Sequence, residues 1–214
     1  MRPTKDQALS FRSQMASIAG AVMRDRTQAI EIKAIGAAFD TVRLLHPSIG
    51  LPDGSTFVRD FATTLGPVIY ENPALADQPD VLMEMMTHEC QHVHQWHTAA
   101  TKDIRQDGLP YPSELAFPIL FLKNDQAVAQ WESDAYAAGE SVRFRITGYM
   151  RSPEEVAALL SNSYSVGASG KALCLSMMLS HRQTILETGR VNVWSAIRAH
   201  TILDAMGFPA SFQP

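Results

Sequence analysis

Apolar residues recur at helical spacing over the first 45 positions: Met15, Ile18, Ala19 and Val22 form one stripe, and Ile30, Ala34, Ala37, Ala38 and Leu45 another. The segment therefore reads as helical up to His46-Pro47, because a proline disfavours helical geometry in the residue before it. Pro52-Asp53-Gly54-Ser55 reads as a turn. Thr56-Phe57-Val58 and Thr63 to Tyr70 are rich in β-branched and aromatic residues and predict strands. Gly66-Pro67 interrupts the second run, which predicts an edge or bulged strand, since proline donates nothing to a ladder. A helix is expected from Pro79 to His97, capped by Asp77 or Asp80. The stretch from Thr98 to Lys123, with Pro110, Pro112 and Pro118, predicts a long loop. It is apolar for a loop, with Tyr111 and Phe117 among its side chains, and either packs down or lines a pocket.

A further helix should begin at Asn124 or Asp125 and end near Thr147, before Gly148. Ser152-Pro153-Glu154-Glu155 marks another start, with serine as cap, proline in the first turn and Glu155 closing a capping box. Helices over 169–188 and 193–206 are stopped by Gly189 and Gly207. The pattern predicts one α+β domain over residues 1–214, mostly helical, with a small antiparallel or mixed sheet near its middle.

The chemistry concentrates in His88-Glu89-Cys90-Gln91-His92, inside the helix expected to bury Val81, Leu82, Met85, Met86, Val93 and Trp96. Residues four apart lie on one helical face, so His88 and His92 can hold a single Zn²⁺. Glu89 is turned by about 100° from His88, beside the metal and not under it. That placement suits a base acting on metal-activated water.

A catalytic zinc site needs a third protein ligand. His94 and His97 point away from the His88–His92 face; with Cys90 they share another face, which one helix alone does not turn into a metal site. Glu84 lies a turn before His88 and reads as a group behind the ligands or a solvated charge. The better candidate is Glu132 in Gln130-Trp131-Glu132-Ser133-Asp134-Ala135-Tyr136, on the next helix. It completes a His-His-Glu set if the two helices pack together. Tyr136 shares its face and can donate to a developing oxyanion. Asp134 falls off that face and orients a ligand histidine only if the helices cross suitably.

Composition narrows the partners. With 46% hydrophobic and 19% charged residues the chain is globular in character. A net charge of −4 with no basic run argues against nucleic acid, and no stretch reaches the ~20 apolar residues of a membrane span. The charged N-terminus lacks a signal-peptide core, and two cysteines, Cys90 and Cys174, make no disulfide framework; both point to a cytoplasmic protein with reduced thiols.

His88-Glu89-Cys90-Gln91-His92 followed by Glu132-Ser133-Asp134-Ala135-Tyr136 resembles the zincin metallopeptidases of the gluzincin type, in particular the minimal ones that keep a strand, the motif helix and the glutamate helix. The resemblance covers residues 56–148, leaving helical extensions over 1–48 and 149–214. It implies His88, His92 and Glu132 as zinc ligands, Glu89 as general base, and the Thr63–Tyr70 segment as an edge that pairs with an extended peptide or protein substrate. Where some gluzincins carry an aspartate four residues after the glutamate ligand, this chain has Tyr136. The function expected is peptide hydrolysis; the rival expectations are a non-catalytic zinc-binding protein and a helical interaction domain.

Overall fold

Thr4 opens the first helix with a reciprocal capping box: its hydroxyl accepts from the Gln7 amide, and the Gln7 side chain accepts from the Thr4 amide. The computed structural model describes residues 2–45, 55, 63–101, 125–164 and 166–210. Helix α1 runs Lys5–Ala19 and ends at Gly20, whose φ of 67° is a left-handed conformation open to glycine. The chain then enters strand β1, Val22–Asp25, and helix α2, Ile30–Leu45. Residues 5–45 are thus not one helical run but two helices with a strand between them. Val22 left the helical stripe because Gly20 reverses the backbone and β1 finds hydrogen-bond partners in a strand far along the sequence. Met15 and Ala19 of the first stripe are buried, but Ile18, at 47% exposure, and Ile30, at 80%, lie outside the core, and Phe11 and Ile32 are fully buried in their place.

The Thr63–Tyr70 segment is two strands, not one. Strand β2, Thr63–Leu65, and strand β3, Val68–Glu71, pair antiparallel across a turn at Gly66-Pro67, with Thr64 opposite Ile69. β1 runs parallel to β3 on its other side, so the sheet order is β1-β3-β2. Gly66, with φ 60°, supplies the positive dihedral that the tight reversal requires, and Pro67 sits where no ladder donor is needed. β2 is an edge strand of this mixed sheet among the described residues.

A 3₁₀ turn over Pro73–Asp77 leads into helix α3, Pro79–Thr101, which extends a turn beyond the expected His97. Asp77 is no cap: its carboxylate pairs with Lys5 Nζ at 2.7 Å. Helix α4 spans Asp125–Thr147, α5 Pro153–Tyr164, α6 Ala168–Thr188 and α7 Trp194–Ala205. The capping box at the start of α5 is present, with Glu155 N–H donating to Ser152 Oγ at 3.2 Å and Ser152 N–H to Glu155 Oε2 at 2.6 Å. Gly189, with φ 77°, closes α6. The fold is mostly helical, with seven α-helices among the described residues and the small mixed sheet against α3. No described helix is long and apolar enough to cross a membrane. The strand expected at Thr56–Val58, the turn before it and all but the first residues of the 98–123 loop, Tyr111 and Phe117 included, lie outside the described residues.

Two cores meet along α4. Phe11 and Met15 of α1, Ile69 of β3, Leu82, Met86, Cys90 and Val93 of α3, Val142 and Ile146 of α4, and Ile202 and Leu203 of α7 form the first. Val128, Ala129, Ala137 and Ala138, nearer the start of α4, pack with Val156 and Leu160 of α5, Cys174, Met178 and Ile185 of α6, and Ala196. The last turns of α4 and α7 are tied by Arg145, which is 3% exposed. Its guanidinium donates to the Pro209 carbonyl at 2.7 Å, the Phe208 carbonyl at 2.7 Å, the His200 carbonyl at 3.1 Å and Asp204 Oδ1 at 2.6 Å. It also lies 3.1 Å from His200 Nδ1, which must therefore accept, leaving His200 Nε2 to donate to Ser141 Oγ at 3.2 Å.

A neutral His200 is what this arrangement demands. Burial, then the neighbouring Arg145 and Arg190 charges, push its pKa from 6.5 down to about 4. Between those values the unfolded chain binds the proton and the folded chain does not. Stability contributed by this site is thus complete above 6.5 and is lost as the pH falls toward about 4. Denaturant unfolding of the wild type is expected to lose more stability on acidification across this window than His200→Asn, by up to about 1.4 kcal/mol per pH unit. Parallel pH dependences for the two proteins would contradict a buried neutral His200.

Candidate metal centre

Helices α3 and α4 run antiparallel and in contact. Glu84 faces Arg143 and Gly139, His88 faces Tyr136, His92 faces Glu132, and Gln95 faces Trp131. Gly139 sets the spacing. A Cβ there would lie 3.2 Å from the Glu84 carbonyl oxygen and 3.7 Å from His88 Cβ. The missing methyl group brings α4 close enough for a side chain as short as glutamate to reach between the two motif histidines.

At the crossing, His88 Nε2 and His92 Nε2 are 3.1 Å apart. Glu132 Oε1 lies 3.4 Å from His92 Nε2, and Glu132 Oε2 lies 3.5 Å from His88 Nε2. Bonds of ~2.0–2.2 Å to a tetrahedral ion separate its ligand atoms by ~3.3–3.6 Å; each histidine meets a different carboxylate oxygen near that spacing, and with one atom taken from each residue the three ligand atoms lie within 4.8 Å of one another. Among the described residues these three form the group of histidine, cysteine or acidic side chains placed to hold a metal ion. Glu132 is 1% exposed and His92 6%, which shields the centre from water on the α4 side.

Burial opposes a charge on either imidazole. At His88 it prevails, helped by His92, and the pKa falls. At His92 the Glu132 carboxylate, with Glu89, outweighs burial and pushes the pKa up to about 9. The buried Glu132 charge therefore gathers positive charge to itself, the electrostatic condition a cation would meet there.

Glu89, the residue expected beside the metal, is 5% exposed and not one of the three converging ligands. The edge strand holds it: Thr64 Oγ1 donates to Glu89 Oε2 at 2.6 Å. Tyr136 stands edge-on to His88, ring centroids 4.7 Å apart and planes at 72°. Burial, then Glu132, raises the Tyr136 hydroxyl far above its ordinary value, so it stays protonated and can only donate to an anion.

Other candidates do other things. Asp134 does not orient a ligand histidine; it faces His181 Nε2 at 3.3 Å. Glu84 is neither behind the ligands nor solvated: Arg143 Nη1 lies 3.1 Å from its Oε2, and Arg151 pairs with its other oxygen and with Glu140. Cys90 is fully buried in the core, His94 stacks on Trp194 with centroids 4.5 Å apart, and His97 meets Trp96 edge-on, so that face carries packing. Two polar partners escaped the sequence reading. Thr64 is one. The other is Gln95, whose Oε1 lies 2.9 Å from His92 Nδ1. The signal for Gln95 was its place three residues after His92, on a helix face that packing buries; nothing local marked Thr64.

The chain matches no protein-family model, no curated protein and no solved structure.

If Gly139 sets the helix spacing, Gly139→Leu should be destabilised by about 1–3 kcal/mol, as overpacked sites are, although leucine is the better helix former. Urea denaturation measures this. A midpoint at or above that of the wild type would show that α3 and α4 have room to spare.

Proposed function

We propose that this chain is a zinc-dependent hydrolase that cleaves peptide bonds, built on a gluzincin-like plan. The observation that carries the reading is the convergence of His88, His92 and Glu132 from two helices on one point, with Glu89 fastened beside them by Thr64. Two imidazoles and one carboxylate are a donor set of catalytic zinc sites, which keep a position for water, whereas structural sites close with four protein ligands. When bound, zinc supplies Lewis acidity toward a carbonyl and lowers the pKa of water toward ~7.

The chain's own groups supply the rest. His88 and His92 turn Nε2 inward, and the Glu132 carboxylate balances the cation's charge. The Thr64 hydroxyl engages Glu89 Oε2, so Oε1 is the atom that takes the proton of the attacking water. As the carbon–nitrogen bond breaks, the same carboxyl returns that proton to the departing amine. Tyr136, held protonated, donates to the oxygen on which negative charge develops. β2 suits the substrate: an extended peptide added to this edge runs beside Glu89 through the strand that carries Thr64. With three residues, β2 pairs with a short segment only.

Two measurements test the reading. Purified protein is expected to take up one zinc per chain. His88→Ala, His92→Ala and Glu132→Ala should each weaken zinc binding by more than ~100-fold, beyond the 10–100-fold typical of groups behind the ligands. Wild-type affinity in Glu132→Ala would place the third ligand elsewhere. Glu89→Gln should keep its zinc and lose hydrolysis of a peptide library by ~10²–10⁴-fold. Undiminished turnover in that variant would remove Glu89 as the base. A fully loaded wild type that cleaves no peptide would turn the reading to a non-catalytic zinc-binding protein.

A further inference from the structure

Gln95 is nine-tenths buried, one turn past His92, and is engaged at both ends of its amide. Its Nε2 donates to the carbonyl of Trp131 at 3.0 Å, and its Oε1 lies 2.9 Å from His92 Nδ1. The two contacts fix each other. A backbone carbonyl can only accept, so the amide nitrogen must face Trp131. Oε1 is then left facing the imidazole, and an amide oxygen can only accept. His92 must therefore carry a proton on Nδ1 and present Nε2 to Glu132 and His88. Trp131 precedes Glu132, so the amide that sets the ring of one metal-site residue also holds the backbone that delivers the next.

We propose that Gln95 is a positioning residue of the metal centre: it locks His92 in the Nδ1–H form, with Nε2 as the donor atom, and fixes α3 against α4 at the position of Glu132. The role rests on the zinc reading above. It is the task the sequence suggested for Asp134, which faces His181 instead. A glutamine does it with a feature an aspartate lacks. The amide has a donor for the carbonyl as well as an acceptor for the ring, so one side chain couples ring orientation to helix register.

The test compares Gln95→Leu, which removes both ends, with Gln95→Glu, which keeps an acceptor for Nδ1–H and loses the donor to Trp131. Zinc affinity is measured by competition with a chromophoric chelator, and stability of the metal-free proteins by urea unfolding. Gln95→Leu should lose 10–100-fold in zinc affinity. Gln95→Glu should stay within about tenfold of the wild type on that same scale, even where its stability falls. In zinc-loaded wild type labelled with ¹⁵N-histidine, His92 should show a slowly exchanging proton on Nδ1 and zinc on Nε2, a readout that does not depend on any variant folding. Zinc on Nδ1, unchanged affinity in Gln95→Leu, or equal losses in both variants would overturn the proposal. A wild type that binds no zinc would sink the zinc reading and this proposal with it. A zinc-binding wild type with an indifferent Gln95→Leu would sink this proposal alone.

Discussion

The close passage of α3 over α4 is the contact on which the centre depends. A glutamate side chain reaches only a few ångströms from its backbone, so Glu132 can stand 3.4 and 3.5 Å from two imidazoles on another helix only if the backbones nearly touch. Gly139 permits this, and polar ties hold it at either end. Glu84 is gripped by Arg143 and Arg151 at one end, while Gln95 grips the Trp131 carbonyl at the other. The histidines and Glu132 lie between. With ties at both ends, a slip of either helix along its axis would break them together.

This arrangement carries a cost that packing alone would not choose. A buried carboxylate loses its hydration, and the penalty is several kcal/mol unless charge and hydrogen bonds compensate. The Arg143–Glu84 and Arg151–Glu140 pairs balance their own charges at the partly exposed end of the crossing. At the centre, Glu132 draws His92 toward the charged form, while burial and His92 keep His88 from following. A single added positive charge is what two histidines and one carboxylate sustain in this setting. A divalent cation would satisfy all three donors at once and bind the folded chain alone, which adds to stability by mass action.

What could be read from the sequence was what the helix itself encodes. His88 and His92 share a face by the 3.6-residue repeat, Glu89 is turned away from them, and the Ser152–Glu155 box is a local rule. Glu132 required one further step, that two neighbouring helices pack, and the step was open to inference because both carry apolar stripes. The rest depended on which faces meet. Asp134 sits two residues from Glu132, and its partner was settled by where α6 passes, not by its spacing from the motif. Thr64 and Glu89 are 25 residues apart, joined through a strand register that no local pattern fixes. β1 is hidden in the sequence because four residues, Val22–Asp25, are too few to display an alternation, and its pairing with β3 overrides local preference.

The five residues His88–His92 show why the helices on either side of the α3–α4 pair are not accessories. His88 and His92 turn to Glu132, and Glu89 turns to β2. Cys90 is buried with Met86 and Val93 among residues of α1 and α7. Gln91 reaches α7, where its Oε1 accepts from the Ser195 amide at 3.1 Å. That bond matters because Val193, at the N-cap of α7, offers no side-chain cap, so a residue of the motif helix satisfies an amide that would otherwise be stranded in the protein interior. Cys90 and Gln91 thus anchor α3 to α1 and α7, which lie outside residues 56–148. Fixing His88 and His92 to within a few tenths of an ångström requires that α3 neither rotate nor slide. Rotation is blocked by Cys90 on the face opposite the two histidines and by Gln91 at its flank, and sliding by Gln95 and Glu84. The helices before and after this region are therefore part of what shapes the centre, although neither contributes to the His88–His92–Glu132 group.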